Sequence, residues 1–175
     1  MNSSAKYKKI VVITSRFPYP LEKGDKLRAY YQIKELAESM DVVLISLTDE
    51  KITATQLEAL NPFCKKIHTF KTNKWINWAF ASLNALTSKP FQVGYFYRRS
   101  IHKKINEIIQ QLEPDHIYAQ LIRTSEYVKN YHACPKTLDY MDALSKGMER
   151  RPRAAIRLPQ WINPQECQRL KQYEN

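Results

Sequence analysis

Ile10-Val11-Val12-Ile13-Thr14-Ser15-Arg16-Phe17-Pro18-Tyr19-Pro20-Leu21-Glu22-Lys23-Gly24-Asp25-Lys26-Leu27-Arg28 is the stretch on which the reading of this chain turns. Its β-branched start predicts a strand buried on both faces, as in a parallel sheet. Pro18 and Pro20 exclude regular structure from the loop that follows. Gly24-Asp25 then opens a helix whose apolar positions recur at Leu27, Tyr30, Tyr31, Ile33, Leu36, Ala37 and Met40. In an open α/β sheet, ligands settle beyond the carboxyl ends of the strands, and the loop from Ser15 to Gly24 falls there. A helix start with free N–H groups suits a phosphate. The plainer alternative is that Asp25 caps the helix and Gly24 makes the turn.

Working outward, Val42 to Leu47 reads as a second buried strand, ended by Thr48-Asp49-Glu50. A short helix is predicted from Thr53 to Leu60, stopped before Pro62, and Lys65 to Phe70 is a third strand near the sheet edge. Parallel strands joined by helices make βαβ units. The clearest amphipathic helix is Arg98 to Leu112, with Ile101, Ile105, Ile108, Ile109 and Leu112 on one face and His102, Lys103 and Lys104 on the other. Glu113-Pro114-Asp115 leads into a fourth strand, His116 to Ala119. A helix from Ser125 to Tyr131, a strand from Lys136 to Asp142 and a last helix from about Pro164 to Tyr173 complete the expectation. Residues 1–150 form the domain, and 151–175 a basic segment with its helix.

The segment around Trp75, Trp78, Phe80 and Leu83 admits two readings: a core helix under the sheet, or a surface helix whose aromatic rings, with Arg98, Arg99, Lys103 and Lys104, meet the headgroup layer of a membrane. The chain of 175 residues carries a net charge of +11, which calls for an anionic partner. Its three glycines, Gly24, Gly94 and Gly147, exclude both the G-x-G-x-x-G and the P-loop signatures. Cys64, Cys134 and Cys167 show neither a C-x-x-C pair nor nearby paired histidines, so no disulfide framework or metal site is expected, and a reducing cytoplasm is. No stretch reaches the roughly 20 apolar residues of a membrane-spanning helix, so membrane contact is expected to be peripheral.

Arg16-Phe17-Pro18-Tyr19-Pro20 with Lys23-Gly24-Asp25-Lys26-Leu27-Arg28 resembles the opening loop of family-4 retaining glycosyltransferases, above all the bacterial sugar transferases linked to exopolysaccharide and protein-sorting loci. The strand bearing Asp139 and Asp142, followed by Ser145, is similar to a family strand ending in D-x-x-D. The run from Glu166 to Glu174 looks like the family helix before the crossover to a second domain.

The resemblance implies an α/β, Rossmann-like open parallel sheet flanked by helices, the amino-terminal half of a GT-B fold. It further implies transfer from a nucleotide sugar to a glycan or lipid-linked acceptor, without metal or cofactor, in partnership with a carboxy-terminal donor domain. The family's E-x7-E donor motif belongs to that second domain. On this basis Arg16, Gly24, Asp25, Lys26 and Arg28 lie near donor phosphate, and Gln120, Arg123, Asp139 and Asp142 on the acceptor or interdomain rim. Gln120 and Arg123 stand where many members carry a histidine, and no catalytic residue is assigned. The half-domain is expected to be inactive alone, and to sit in the cytoplasm on the inner face of the cell membrane.

Two rival readings share the same charge. One is a non-catalytic membrane-surface domain. The other is a single-stranded nucleic-acid binder that uses Trp75, Trp78, Tyr95 and Tyr97, and it ranks below a nucleotide-sugar partner.

Overall fold

The computed structural model describes residues 8–73 and 91–140. The Trp75 and Trp78 segment, Asp142, Ser145 and the last predicted helix lie outside the described residues.

Among the described residues, β1 (Lys8–Thr14), β2 (Met40–Thr48), β3 (Lys66–Lys71), β4 (His116–Gln120) and β5 (Lys136–Asp139) form one sheet in the order β3-β2-β1-β4-β5. Every pairing is parallel. The helices are α1 (Gly24–Leu36), α2 (Ala54–Glu58), α3 (Phe91–Phe96) and α4 (Arg99–Leu112), with a 3-10 helix at Ile122–Tyr127.

The unbroken apolar runs follow from burial on two faces. In β1, Ile10 and Val12 pack with Ile33 of α1 and Leu60 beyond α2, while Val11 and Ile13 pack with Ile105 and Ile109 of α4. In β2 the same alternation sends Val42 and Leu44 to the α1 side, and Val43, Ile45 and Leu47 to the α4 side. Each such side chain fully removed from water is worth about 1.5 to 3 kcal/mol, so the central strands anchor both layers. β3 takes the sheet edge, as its weaker pattern predicts.

The structure revises three local expectations. First, α1 ends at Leu36, and Met40 is already the first residue of β2. The buried stripe of α1 is Lys26, Ala29 and Ile33, whereas Leu27 and Tyr31 are 42% and 54% exposed. Apolar residues run around more than half of this helix, so periodicity alone could not say which face docks. Second, α2 is the short helix expected but ends at Glu58 rather than Leu60, and a capping box holds its start: Thr53 Oγ1 accepts from the Gln56 amide, and Gln56 Oε1 from the Thr53 amide. Third, the helix expected at Ser125 to Tyr131 is a 3-10 helix that begins three residues earlier. Thr124 Oγ1 donates to the Gln120 and Leu121 carbonyls and Ser125 Oγ to that of Ile122, bonds that favour the tighter i to i+3 coil.

Candidate functional site at the β1–β4 crevice

The chain runs outward from β1 to β2 and β3, then returns to place β4 on the other side of β1. The strand order therefore reverses between β1 and β4, and the crevice beyond their carboxyl ends is where open α/β sheets hold ligands. Two loops converge there: residues 15–23 after β1, and Leu121 with the 3-10 helix after β4.

Asp25 is the hub of this crevice. It does not cap α1, whose N-cap is Lys23 with no side-chain cap bond. Instead its carboxylate accepts from Arg16 Nη1 at 2.8 Å and lies 3.6 Å from Arg123 Nη1. Its backbone carbonyl accepts from Gln120 Nε2 at 2.8 Å. Asp25 and Arg123 are largely enclosed, with side chains 11% and 18% exposed. Burial and the nearby Arg16 push the Arg123 guanidinium down to about 10, against the pull of Asp25, so it stays charged at neutral pH. Its guanidinium carbon also sits 5.2 Å from the centre of the Phe96 ring, a cation–π contact. Arg16 and Arg123 thus set two cations against the Asp25 carboxylate.

Leu121 sets the geometry of the rim. This buried residue has φ 65° and ψ 152°, a region that L side chains rarely adopt. Its amide donates to the Asp139 carbonyl at 2.7 Å, and its carbonyl accepts from the Thr124 amide and hydroxyl. The turn lets Gln120 end β4 beneath α1 while Arg123, three residues on, reaches Asp25.

The remaining residues singled out in the sequence divide among several places. Gly24 is the exposed first residue of α1; a Cβ added there meets nothing within 4 Å. Lys26 is buried and lines a separate cleft beside the crevice. Arg28 and Asp139 pair with each other, and Gln32 and Tyr118 also donate to Asp139. Asp139 thus ties α1 to β5. Arg99, Lys103 and Lys104 are exposed on the first turns of α4, whereas the half-buried Arg98 guanidinium donates to the Gly94 and Tyr97 carbonyls.

Sequence reasoning missed Tyr118, Gln32 and Leu121. The period of two in β4 did carry a signal, since Ile117 and Ala119 face the α4 side and leave Tyr118 toward α1. Gln32 lies one helical turn beyond Arg28 and could have been placed with it. Leu121 carried no signal, because nothing in its residue type asks for a positive φ.

Among the described residues, two clefts bear on the search for a site. The larger, about 410 Å³, lies at the opposite edge of the sheet and is lined by Met40, Asp41, Phe63 and Cys64 among others. Burial pushes the Cys64 thiol up to about 12, so it is a poor nucleophile. The smaller, about 230 Å³, lies between the β1–α1 and β2–α2 loops at the carboxyl edge and includes Arg16 and Lys26. Position and chemistry favour the smaller one. Among the described residues, no group of three or more His, Cys, Asp or Glu side chains is placed to hold a metal, and no helix is long and apolar enough to cross a membrane.

No protein-family model and no curated protein matches this chain. Among solved structures, the C-terminal domain of a hydrogenase from Pyrococcus furiosus is similar, with a TM-score of 0.50 and 17% sequence identity over 77% of this chain and 91% of that one. The fold is α/β and Rossmann-like. At that identity the likeness speaks to the fold alone.

Proposed function

We propose that this chain is the acceptor-side half of a GT-B-type retaining glycosyltransferase that moves a sugar from a nucleotide-sugar donor to a glycan or lipid-linked acceptor. One observation carries the reading. Arg16 and Asp25, from the motif that resembles the family, meet Gln120 and Arg123 at the crevice where the strand order reverses. A partly enclosed site that brings two arginines to a helix start suits phosphoryl oxygens, which gain more from charged donors there than they would in water. The open space in front of Gly24 leaves room for a ligand to reach the first amides of α1. A carboxy-terminal donor domain would close over this edge and supply the rest of the nucleotide site. With Asp139 engaged by Arg28, the acceptor is assigned to the loops after β1, β2 and β4 rather than to the end of β5.

The test joins this chain to its natural carboxy-terminal half and follows nucleotide release across a panel of nucleotide sugars and acceptors. Arg123→Met and Gly24→Val should each lower kcat/KM by more than tenfold, roughly 1.4 kcal/mol of transition-state stabilisation, while Tm stays near that of the parent. The chain alone should release no nucleotide. Robust turnover by the chain alone, or full activity in both variants, would overturn the reading.

A further inference from the structure

We propose that Phe96, at the end of α3, is a positioning residue for the crevice: its ring sets the plane of the Arg123 guanidinium and so aims that cation at the ligand. The inference rests on the transferase reading in one respect, since it takes Arg123 as an arginine that meets the phosphoryl group.

Asp25 does not by itself settle where Arg123 points. Its carboxylate lies 2.8 Å from Arg16 Nη1 but 3.6 Å from Arg123 Nη1, so Arg16 has the first claim on it. Burial works against the charge of Arg123, and Arg16 adds the repulsion of a like charge. A long side chain in such a place is oriented by the surface that it lies against. The Phe96 ring is such a surface, with the guanidinium carbon 5.2 Å from its centre. Stacking on a ring uses the flat face of a guanidinium and leaves its N–H edges for acceptors, so the ring can orient the cation without taking its donors.

Phe96 is held at two points by the same 3-10 helix that carries Arg123. Near the start of that helix, Arg123 lies over the Phe96 ring. At its end, the Tyr127 hydroxyl donates to the Phe96 carbonyl at 2.7 Å and accepts from the Arg98 amide at 3.0 Å. Tyr127 is fully buried, so this grip on the end of α3 is shielded from water. The Tyr95 ring adds a side support, tilted toward edge-on with centres 5.0 Å apart. Ring and backbone of Phe96 are thus both tied to the element that brings Arg123 to the crevice. Packing alone asks only for an apolar side chain here, because Phe96 is a partly buried neighbour of the core that contains Ile105 and Tyr127. Leucine meets that need; only an aromatic residue supplies the face.

Two readouts separate this role from packing. In proton NMR of the 175-residue chain, the Arg123 side-chain resonances, assigned by their loss in Arg123→Met, should be displaced upfield by the ring current. Phe96→Leu should return them to ordinary arginine positions, and Phe96→Tyr should keep the displacement. In the joined enzyme, Phe96→Leu should lower kcat/KM by about fivefold or more, and Phe96→Tyr by less than about twofold. Adding Phe96→Leu to Arg123→Met should cost no more than about a further twofold, because a residue that acts only through Arg123 then has nothing left to act on. Undisplaced Arg123 resonances in the parent chain, equal kcat/KM for Phe96→Leu and Phe96→Tyr, or a double variant whose losses multiply overturns the proposal. If Phe96→Leu does not fold, the parent spectrum and the activity of Phe96→Tyr decide. If the joined enzyme releases no nucleotide, the transferase reading falls, and the spectra still decide whether Phe96 places Arg123.

Discussion

Arg28 and Asp139 meet side-on: Nε and Nη2 of the guanidinium donate to the two carboxylate oxygens at 2.9 and 3.0 Å, and so bind α1 to the end of β5. The two partners are not equally important. The Arg28 side chain is 46% exposed, and solvent screening reduces what its charge contributes. Asp139, at 11%, also serves as acceptor for Gln32 Nε2 and the Tyr118 hydroxyl. Arg28→Ala should therefore cost less than about 1 kcal/mol. Asp139→Ala strands several partly buried donors and should cost about 2 to 3 kcal/mol, a fall in Tm of roughly 5 to 10 °C. Thermal melts of the two variants decide the matter, and equal losses would show that Asp139 has no role beyond the ion pair.

The outer face of α4 is the place where a membrane reading meets described structure. Arg99, Lys103 and Lys104 project into solvent, and each cation near an anionic bilayer is worth about 1 kcal/mol. Changing all three to Glu should abolish pelleting with phosphatidylserine vesicles and leave Tm within a degree or two. Arg98→Ala should instead disturb folding, because its guanidinium donates to the Gly94 carbonyl of α3 and to the Tyr97 carbonyl that follows it. Pelleting that survives the triple change would remove this face from membrane contact.

Acid should weaken the fold through His102 and His68. Burial lowers both, with Glu126 partly opposing at His102 and Lys66 reinforcing at His68. A histidine that resists protonation when folded gives its full stability above the unfolded value of about 6.5 and loses it as pH falls through the lower, folded value. His102 Nδ1 lies in a 3.0 Å hydrogen bond with Tyr97 Oη, and its ring packs against those of Tyr97 and Tyr127, which also touch each other. Tm should thus decline as pH falls below about 6.5, and the decline should be shallower in His102→Gln. An identical slope in that variant would assign the whole effect elsewhere.

Cys64 offers a probe of unfolding. The thiol is buried and raised to about 12, so at pH 8 it should resist iodoacetamide in the native state and react once urea unfolds the chain. Mass spectrometry of the labelled peptide reads this, and fast native labelling at Cys64 would mean that the α1 face of the sheet opens locally.

How much of this was legible in the sequence depends on which force decides each element. The double-sided burial of β1 and β2 is written in their β-branched runs, and the amphipathic α4 in its isoleucines. The docking face of α1 was not legible, because Leu27 and Tyr31 are as apolar as Tyr30 and Ile33, and only the sheet chooses between them. The family resemblance singled out Arg16, Asp25, Lys26, Gln120, Arg123 and Asp139, and of these Arg16, Asp25, Gln120 and Arg123 meet at the crevice. The pairings among them require the order β3-β2-β1-β4-β5, which local patterns do not fix. That order puts Asp139 within reach of Arg28 and leaves Asp25 between two arginines.

The turn at Leu121 gives the last prediction, and it concerns the backbone that holds the crevice together. Replacing a buried leucine by alanine costs about 2 to 5 kcal/mol, and an ordinary helix or strand position then loses a further 0.5 to 1 kcal/mol, roughly, if alanine becomes glycine. At φ 65° the second step reverses, since alanine keeps the Cβ that makes this conformation costly and glycine does not. Leu121→Gly should therefore be more stable than Leu121→Ala, by roughly 1 kcal/mol in urea unfolding, although both fall below the parent. If alanine proves the more stable, the positive φ is not retained in solution. Gln120 and Arg123 would then need some other means of reaching Asp25. With the turn retained, Leu121→Gly should loosen their placement, and in the joined enzyme it should lower kcat more than its loss of stability alone would suggest.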